Sequence, residues 1–100
     1  MLMVWDEPKR EKNRLAPPAG HGLDFADARD RFEWGTAMIA QTYASAASAR
    51  GGARYTAVGF LDRRLVSLTF SVLGTEAVSA ISLRTASNRE RKAYAQQCQA

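Results

Sequence analysis

The stretch RYTAVGFLDRRLVSLTFSVLGTEAVSAISLR, running from Arg54 to Arg84, decides the fold. It is rich in β-branched, leucine and aromatic residues, and two turn dipeptides break it, Asp62-Arg63 and Gly74-Thr75. Between them Leu65, Val66, Leu68, Phe70 and Val72 approximate the period of two that a strand needs. The reading is three strands, Arg54 to Leu61, Arg64 to Leu73 and Glu76 to Arg84. The links are too short for crossovers, so the strands form an antiparallel meander.

Working outward, Met38 to Tyr43 reads as a further strand, joined to the meander by a small-residue loop over Ala44 to Gly52. Downstream, Ser87-Asn88-Arg89-Glu90 has the spacing of a capping box. It opens a helix over about 88–98, with Ala93 and Tyr94 facing inward. Upstream, Asp24 is an N-cap with Asp27 three residues on, and Phe25, Ala28, Arg29 and Phe32 share a helical face over 24–33. Met1 to Trp5 is a short apolar strand. Asp6, Glu7 and Pro8 then start a strongly charged helix, which Pro17-Pro18 forces to stop near Leu15 or Ala16. Pro17 to Gly22 is a turn-rich loop that holds His21 between two glycines. The order is β-α-α-β-β-β-β-α. It predicts one α+β domain over residues 1–100, with helices packed on one face of an antiparallel sheet.

Residue counts exclude several functions. One cysteine, Cys98, rules out a disulfide framework and a cysteine-ligated zinc site within the chain, and one histidine rules out a histidine cluster. No metal and no cofactor is expected. No apolar run approaches the roughly 18 residues of a spanning helix. The first residues turn charged by Asp6, unlike a signal peptide. The expectation is a cytoplasmic protein away from membranes. The net charge of +4 is unevenly placed: residues 1–35 carry −1 and residues 36–100 carry +5. Seven of the eight bases in the second part are arginine, whose planar fork fits phosphate oxygens. A polyanion is one partner this implies. An acidic protein and a merely solvated surface are the others.

The sequence has neither a phosphate-binding P-loop nor a Gly-x-Ser-x-Gly elbow. What it has is an ordered series: Trp5-Asp6, Lys9, Asn13, His21-Gly22, Phe25, Ala28, Arg54, Gly59, Ile81-Ser82, Arg84, Ala86, Glu90 and Tyr94. This series resembles the BrnT family of type II toxin–antitoxin toxins, small ribonucleases with a RelE-like fold. The family pattern is Trp-Asp, then a lysine, an asparagine and Lys-His-Gly; Ile-Ser-Ala-Arg follows before a helix carrying Glu and Tyr. Here about four residues are inserted before His21, the lysine before it is replaced by Gly20, and Leu83 stands where alanine is usual. Gly52 and Ala53 stand where the family has an acid before its arginine.

The resemblance implies metal-free RNA cleavage, in which the ribose 2′-OH attacks the adjacent phosphorus. That reaction needs a base, an acid and cations on the phosphorane. It assigns Arg54 and Arg84 as phosphate clamps, Lys9 as a further stabiliser, His21 to proton transfer and Tyr94 to stacking or hydrogen bonding. Arg89, Arg91 and Lys92 would contact RNA or an acidic antitoxin segment. It also implies a BrnA-like ribbon-helix-helix antitoxin, a heterotetramer, and operator DNA bound only through that antitoxin. Each residue has a plainer reading. Arg84 can pair with Glu90, Arg54 and Lys9 can be solvated cations, His21 an exposed bystander, Tyr94 a core-edge residue, and Trp5 core. Two further functions stand beside the ribonuclease: a degenerate module that binds only the antitoxin or nucleic acid, and a stand-alone nucleic-acid-binding domain.

Overall fold

A computed structural model describes residues 2–42 and 53–99. Tyr43 and the loop read over Ala44 to Gly52 lie outside the described residues. The elements are β1 (Leu2–Val4), α1 (Glu7–Arg14), α2 (Phe25–Arg31), a 3-10 turn (Trp34–Thr36), β2 (Met38–Thr42), β3 (Arg54–Leu61), β4 (Arg64–Leu73), β5 (Ala77–Thr85) and α3 (Asn88–Gln99). The α+β class and the element order are as the sequence predicts. No helix among the described residues is long and apolar enough to cross a membrane.

Local chemistry places most of the boundaries. Pro8 lies in the first turn of α1, where its missing N–H costs nothing. Asp24 caps α2 by accepting from the Ala26 N–H at 3.0 Å. The capping box is formed: the Glu90 N–H donates to Ser87 Oγ at 3.2 Å, and the Ser87 N–H donates to Glu90 Oε1 at 2.8 Å. Asp62 (φ 58°) and Gly74 (φ 62°) take the left-handed conformations that the two hairpin turns require.

The sheet order is β1-β5-β4-β3-β2. β2 through β5 form the antiparallel meander, but β1 pairs parallel to β5, Met3 opposite Val78. The short-link argument does not bind β1, because the rest of the chain serves as its crossover. In β4–β5 the register shifts at Thr69/Phe70: Ser82 faces Thr69, Ala80 faces Phe70, and Ile81 is the extra residue. The bulge keeps Val78, Ala80 and Leu83 in one core cluster and places Ser82 and Arg84 on the opposite face.

The helices are not confined to one face, and the reason lies in β3 and β4. Ala57, Leu61, Val66, Leu68 and Phe70 point to one side; Val58, Phe60 and Leu65 point to the other. Two apolar faces need two covers. α2 covers the first with Phe25 and Ala28, both fully buried. α3 covers part of the second with Tyr94, whose ring meets Phe60 edge-on at 5.7 Å between centroids. α1 runs beside the half of the β5 edge that β1 leaves open. There the Asn13 amide replaces a neighbouring strand: Nδ2 donates to the Leu83 carbonyl at 2.9 Å, and Oδ1 accepts from the Leu83 N–H at 3.0 Å.

Arg10 ties α1 to α2, donating from Nε and Nη2 to the two oxygens of Asp24 at 2.8 and 3.1 Å. This pairing, opposed by partial burial, holds the Asp24 carboxyl below its ordinary range. Trp5 packs against the core, as expected, with the Arg10 and Arg29 guanidiniums over its ring at 5.7 and 5.4 Å from the centroid.

Candidate active site

Beside the open edge of β5 is a cleft of about 250 Å³. Lys9 and Lys12, three residues apart on α1, form one wall, Ala19 to His21 another, and Ile81 and Ser82 the floor. The inserted loop therefore does not carry His21 away. It folds back over the end of α1: the His21 N–H donates to the Asn13 carbonyl at 3.0 Å and the Gly22 N–H to the Leu15 carbonyl at 2.8 Å. These bonds satisfy carbonyls that the helix C-terminus leaves open.

Gly20 makes the fold-back possible. A Cβ there would overlap the Lys12 carbonyl oxygen and lie 2.7 Å from that of Leu15, and both are backbone atoms. Gly20→Ala is expected to lift the loop and lower the melting temperature by roughly 5–10 °C. The His21 ring signals in an NMR spectrum should move with it. Unchanged ring signals would mean that the loop sits elsewhere.

Arg84 projects from the same face of β5 as Ser82, two positions beyond it, or roughly 7 Å along the strand. Its Nη1 and Nη2 donate to Glu90 Oε1 and Oε2 at 2.8 and 3.0 Å. Glu90 also accepts from the Ser87 N–H at 2.8 Å and from Ser67 Oγ at 2.9 Å. Each carboxylate oxygen thus has two donors. Burial pushes the Glu90 carboxyl up, but the donors, Arg84 foremost, outweigh it and hold the pKa at about 2, against an ordinary 4.5.

A lowered carboxyl contributes stability above its unfolded pKa and loses it as pH falls through the folded one. Stability should therefore drop between about pH 4.5 and 2, by roughly 2–3 kcal/mol for this group. The side chain is only 17% exposed, so little of that is screened away. The check is urea unfolding against pH: Glu90→Gln should lose this part of the acid slope. A slope unchanged in the variant would remove Glu90 as its source.

The other predicted residues are dispersed. Arg54 shares the sheet face of Arg84 but sits opposite Ser71, while Arg84 sits opposite Ser67. Four residues along and two strands across place their Cα atoms on the order of 16 Å apart. With Arg84 held by Glu90, the two would meet on one phosphate only with Arg54 extended along the sheet face. Tyr94 is 8% exposed and belongs to the core under α3, because helical spacing turns it toward Phe60 and Val58. Its assignment to catalysis does not fit that position. Arg89, Arg91 and Lys92 are exposed along α3. Lys12 and the edge-bracing role of Asn13 are additions of the structure. The i, i+3 spacing from Lys9 was the available signal for Lys12; the ordered series named Asn13 but not its role at the strand edge.

Comparison with known proteins agrees with the fold. The family model for the ribonuclease toxin BrnT of type II toxin–antitoxin systems matches residues 5–90. A crystal structure of the Brucella abortus ribonuclease toxin BrnT is similar at 36% identity and a TM-score of 0.66, covering 88% of this chain and 100% of that one. Comparison with curated proteins returns no match. A family match over most of the length, and a solved relative with the same architecture, show that the chain belongs to the BrnT family of ribonuclease toxins of type II toxin–antitoxin systems.

Proposed function

We propose that this protein cleaves RNA without a metal, at the cleft between α1 and the β5 edge. The observation that carries the reading is the meeting of Lys9, Lys12 and His21 in one cleft floored by Ser82. His21 takes the proton of a ribose 2′-OH on a ring nitrogen. The 2′-oxygen bonds to phosphorus and the bond to the 5′-oxygen breaks. That oxygen takes a proton from solvent, leaving a 2′,3′-cyclic phosphate and a 5′-hydroxyl end. Lys9, Lys12 and Arg84 oppose the charge that grows on the phosphorane. Arg54, Arg89, Arg91 and Lys92 serve the flanking strand or an acidic segment of the partner.

Family membership supports a partner antitoxin. The reading places a ribbon-helix-helix antitoxin on this toxin, in a cytoplasmic heterotetramer that reaches operator DNA through the antitoxin alone. A non-catalytic binding module is the second reading. It is favoured by the distance of Arg54 from Arg84 and by Ala53 standing where the family has an acid.

The test is a labelled RNA oligonucleotide incubated with the purified protein in EDTA, the new ends being identified. The expected result is a cyclic phosphate product, with the rate reduced about 100-fold or more in His21→Ala and about tenfold in Lys9→Ala. No cleavage by the folded protein, or cleavage that both variants leave intact, would overturn the ribonuclease reading in favour of the binding module.

A further inference from the structure

Arg84 has more donors than Glu90 uses. A guanidinium carries five N–H groups. Glu90 takes one from Nη1 and one from Nη2, and the Thr85 carbonyl stands 3.4 Å from Nη1. The Nε–H and the second Nη2–H have no acceptor among the described residues. These two lie on the same edge of the planar group, a two-donor fork of the shape that grips a phosphate. The side chain is 38% exposed. Glu90 cannot turn to follow another partner, because Ser67 and the Ser87 N–H hold it from β4 and from the start of α3.

The geometry points to Glu90 as a positioning residue: anchored by Ser67 and the α3 cap, it fixes Arg84 so that the Nε–Nη2 edge faces an RNA phosphate. This deepens the ribonuclease reading and rests on RNA being the ligand, but not on its being cut. Glu90 touches no substrate. A carboxylate with four donors and a pKa of about 2 is also a poor proton acceptor at neutral pH.

Two effects of Glu90 on phosphate oppose each other, which makes the test a matter of sign. Its negative charge repels a phosphate, so charge alone predicts that Glu90→Gln binds RNA more tightly. Its geometry orients the fork, so positioning predicts that Glu90→Gln binds more weakly. The glutamine amide cannot accept from both Nη groups, and Arg84 is released to many rotamers.

The probe is a short 2′-O-methyl RNA oligonucleotide, which binds but has no 2′-OH to attack. Glu90→Gln is expected to raise its Kd about tenfold, despite the added positive charge. Ser87→Ala weakens the same helix start but leaves the Arg84–Glu90 pair, and should keep the wild-type Kd within about twofold. A second readout needs no variant. The Arg84 Nε–H signal in a ¹⁵N spectrum should be sharp in the free protein and should shift when the oligonucleotide binds. Unchanged or tighter binding by Glu90→Gln would overturn the proposal, as would an Arg84 signal that bound RNA leaves in place, or no oligonucleotide binding at all. Failure of the wild type to cut unmodified RNA is read separately. It would overturn the ribonuclease and leave this result standing.

Discussion

Asn13→Leu is expected to cost the domain about 3–4 kcal/mol, a large share of the 5–15 kcal/mol that a domain of this size holds. Asn13 is 6% exposed. Its amide makes three hydrogen bonds, two with the Leu83 backbone and one from Nδ2 to the Leu23 carbonyl at 2.7 Å. Leucine keeps the volume and removes all three. A buried N–H and two carbonyls are then left without partners, and that desolvation, rather than the lost bonds themselves, sets the size of the effect. The melting temperature should fall by roughly 15–20 °C.

Asn13→Asp separates hydrogen bonding from packing. It keeps an acceptor for the Leu83 N–H but turns a negative oxygen toward two carbonyls. Its carboxyl pKa should therefore be raised in the folded state, so the variant should regain stability as pH falls through that value. Urea unfolding at neutral and mildly acidic pH checks both. A loss under about 1 kcal/mol in Asn13→Leu would mean that water can replace the amide at the strand edge.

Asn13 also shows where the reading of the sequence stops. Features written in consecutive residues were legible: Pro8 in the first turn of α1, the Asp24 cap, the Ser87–Glu90 box, and the turns at Asp62-Arg63 and Gly74-Thr75. The strands of the meander follow from their alternation. Features that depend on how distant segments meet were not legible. An asparagine in a charged helix looks like a solvated residue until Leu83, 70 positions away, is placed beside it. The side taken by α3 depends on Val58, Phe60 and Leu65 forming a second apolar face. Local alternation does not distinguish that face from a solvated one. One extra residue at Ile81 reverses the phase of β5 and decides that Ser82 and Arg84, not their neighbours, look away from the α2 layer.

The site divides along the same line. Lys9 and His21 were named from their order in the chain, and they meet because Gly20 lets the inserted loop lie against the backbone of α1. Arg54 and Arg84 were named from the same order, yet the register of three strands keeps them apart. Order along a chain records which residues are present. Pairing decides which of them can act on one atom.

Arg84→Ala and Arg54→Ala should accordingly differ in their effect on kcat. Arg84 stands beside Ser82, the floor of the cleft, with two donors that have no acceptor among the described residues. A cation at that place holds the phosphate in the ground state and meets the further charge of the transition state, so its loss should raise KM about tenfold and lower kcat by about 100- to 1,000-fold. Arg84→Lys should recover little, because an ammonium cannot present two fixed donors. Arg54 lies on the order of 16 Å away, at the far end of the same sheet face, where a flanking phosphate is its natural contact. Its removal should raise KM severalfold, leave kcat nearly unchanged and reduce the salt dependence of binding by about one ion. Steady-state kinetics on one RNA oligonucleotide, repeated at two salt concentrations, measures all four quantities. Equal losses of kcat in the two alanine variants would contradict the separation that the strand register imposes. A change confined to KM in Arg84→Ala would move the reacting phosphate away from β5, toward Lys9 and Lys12 alone.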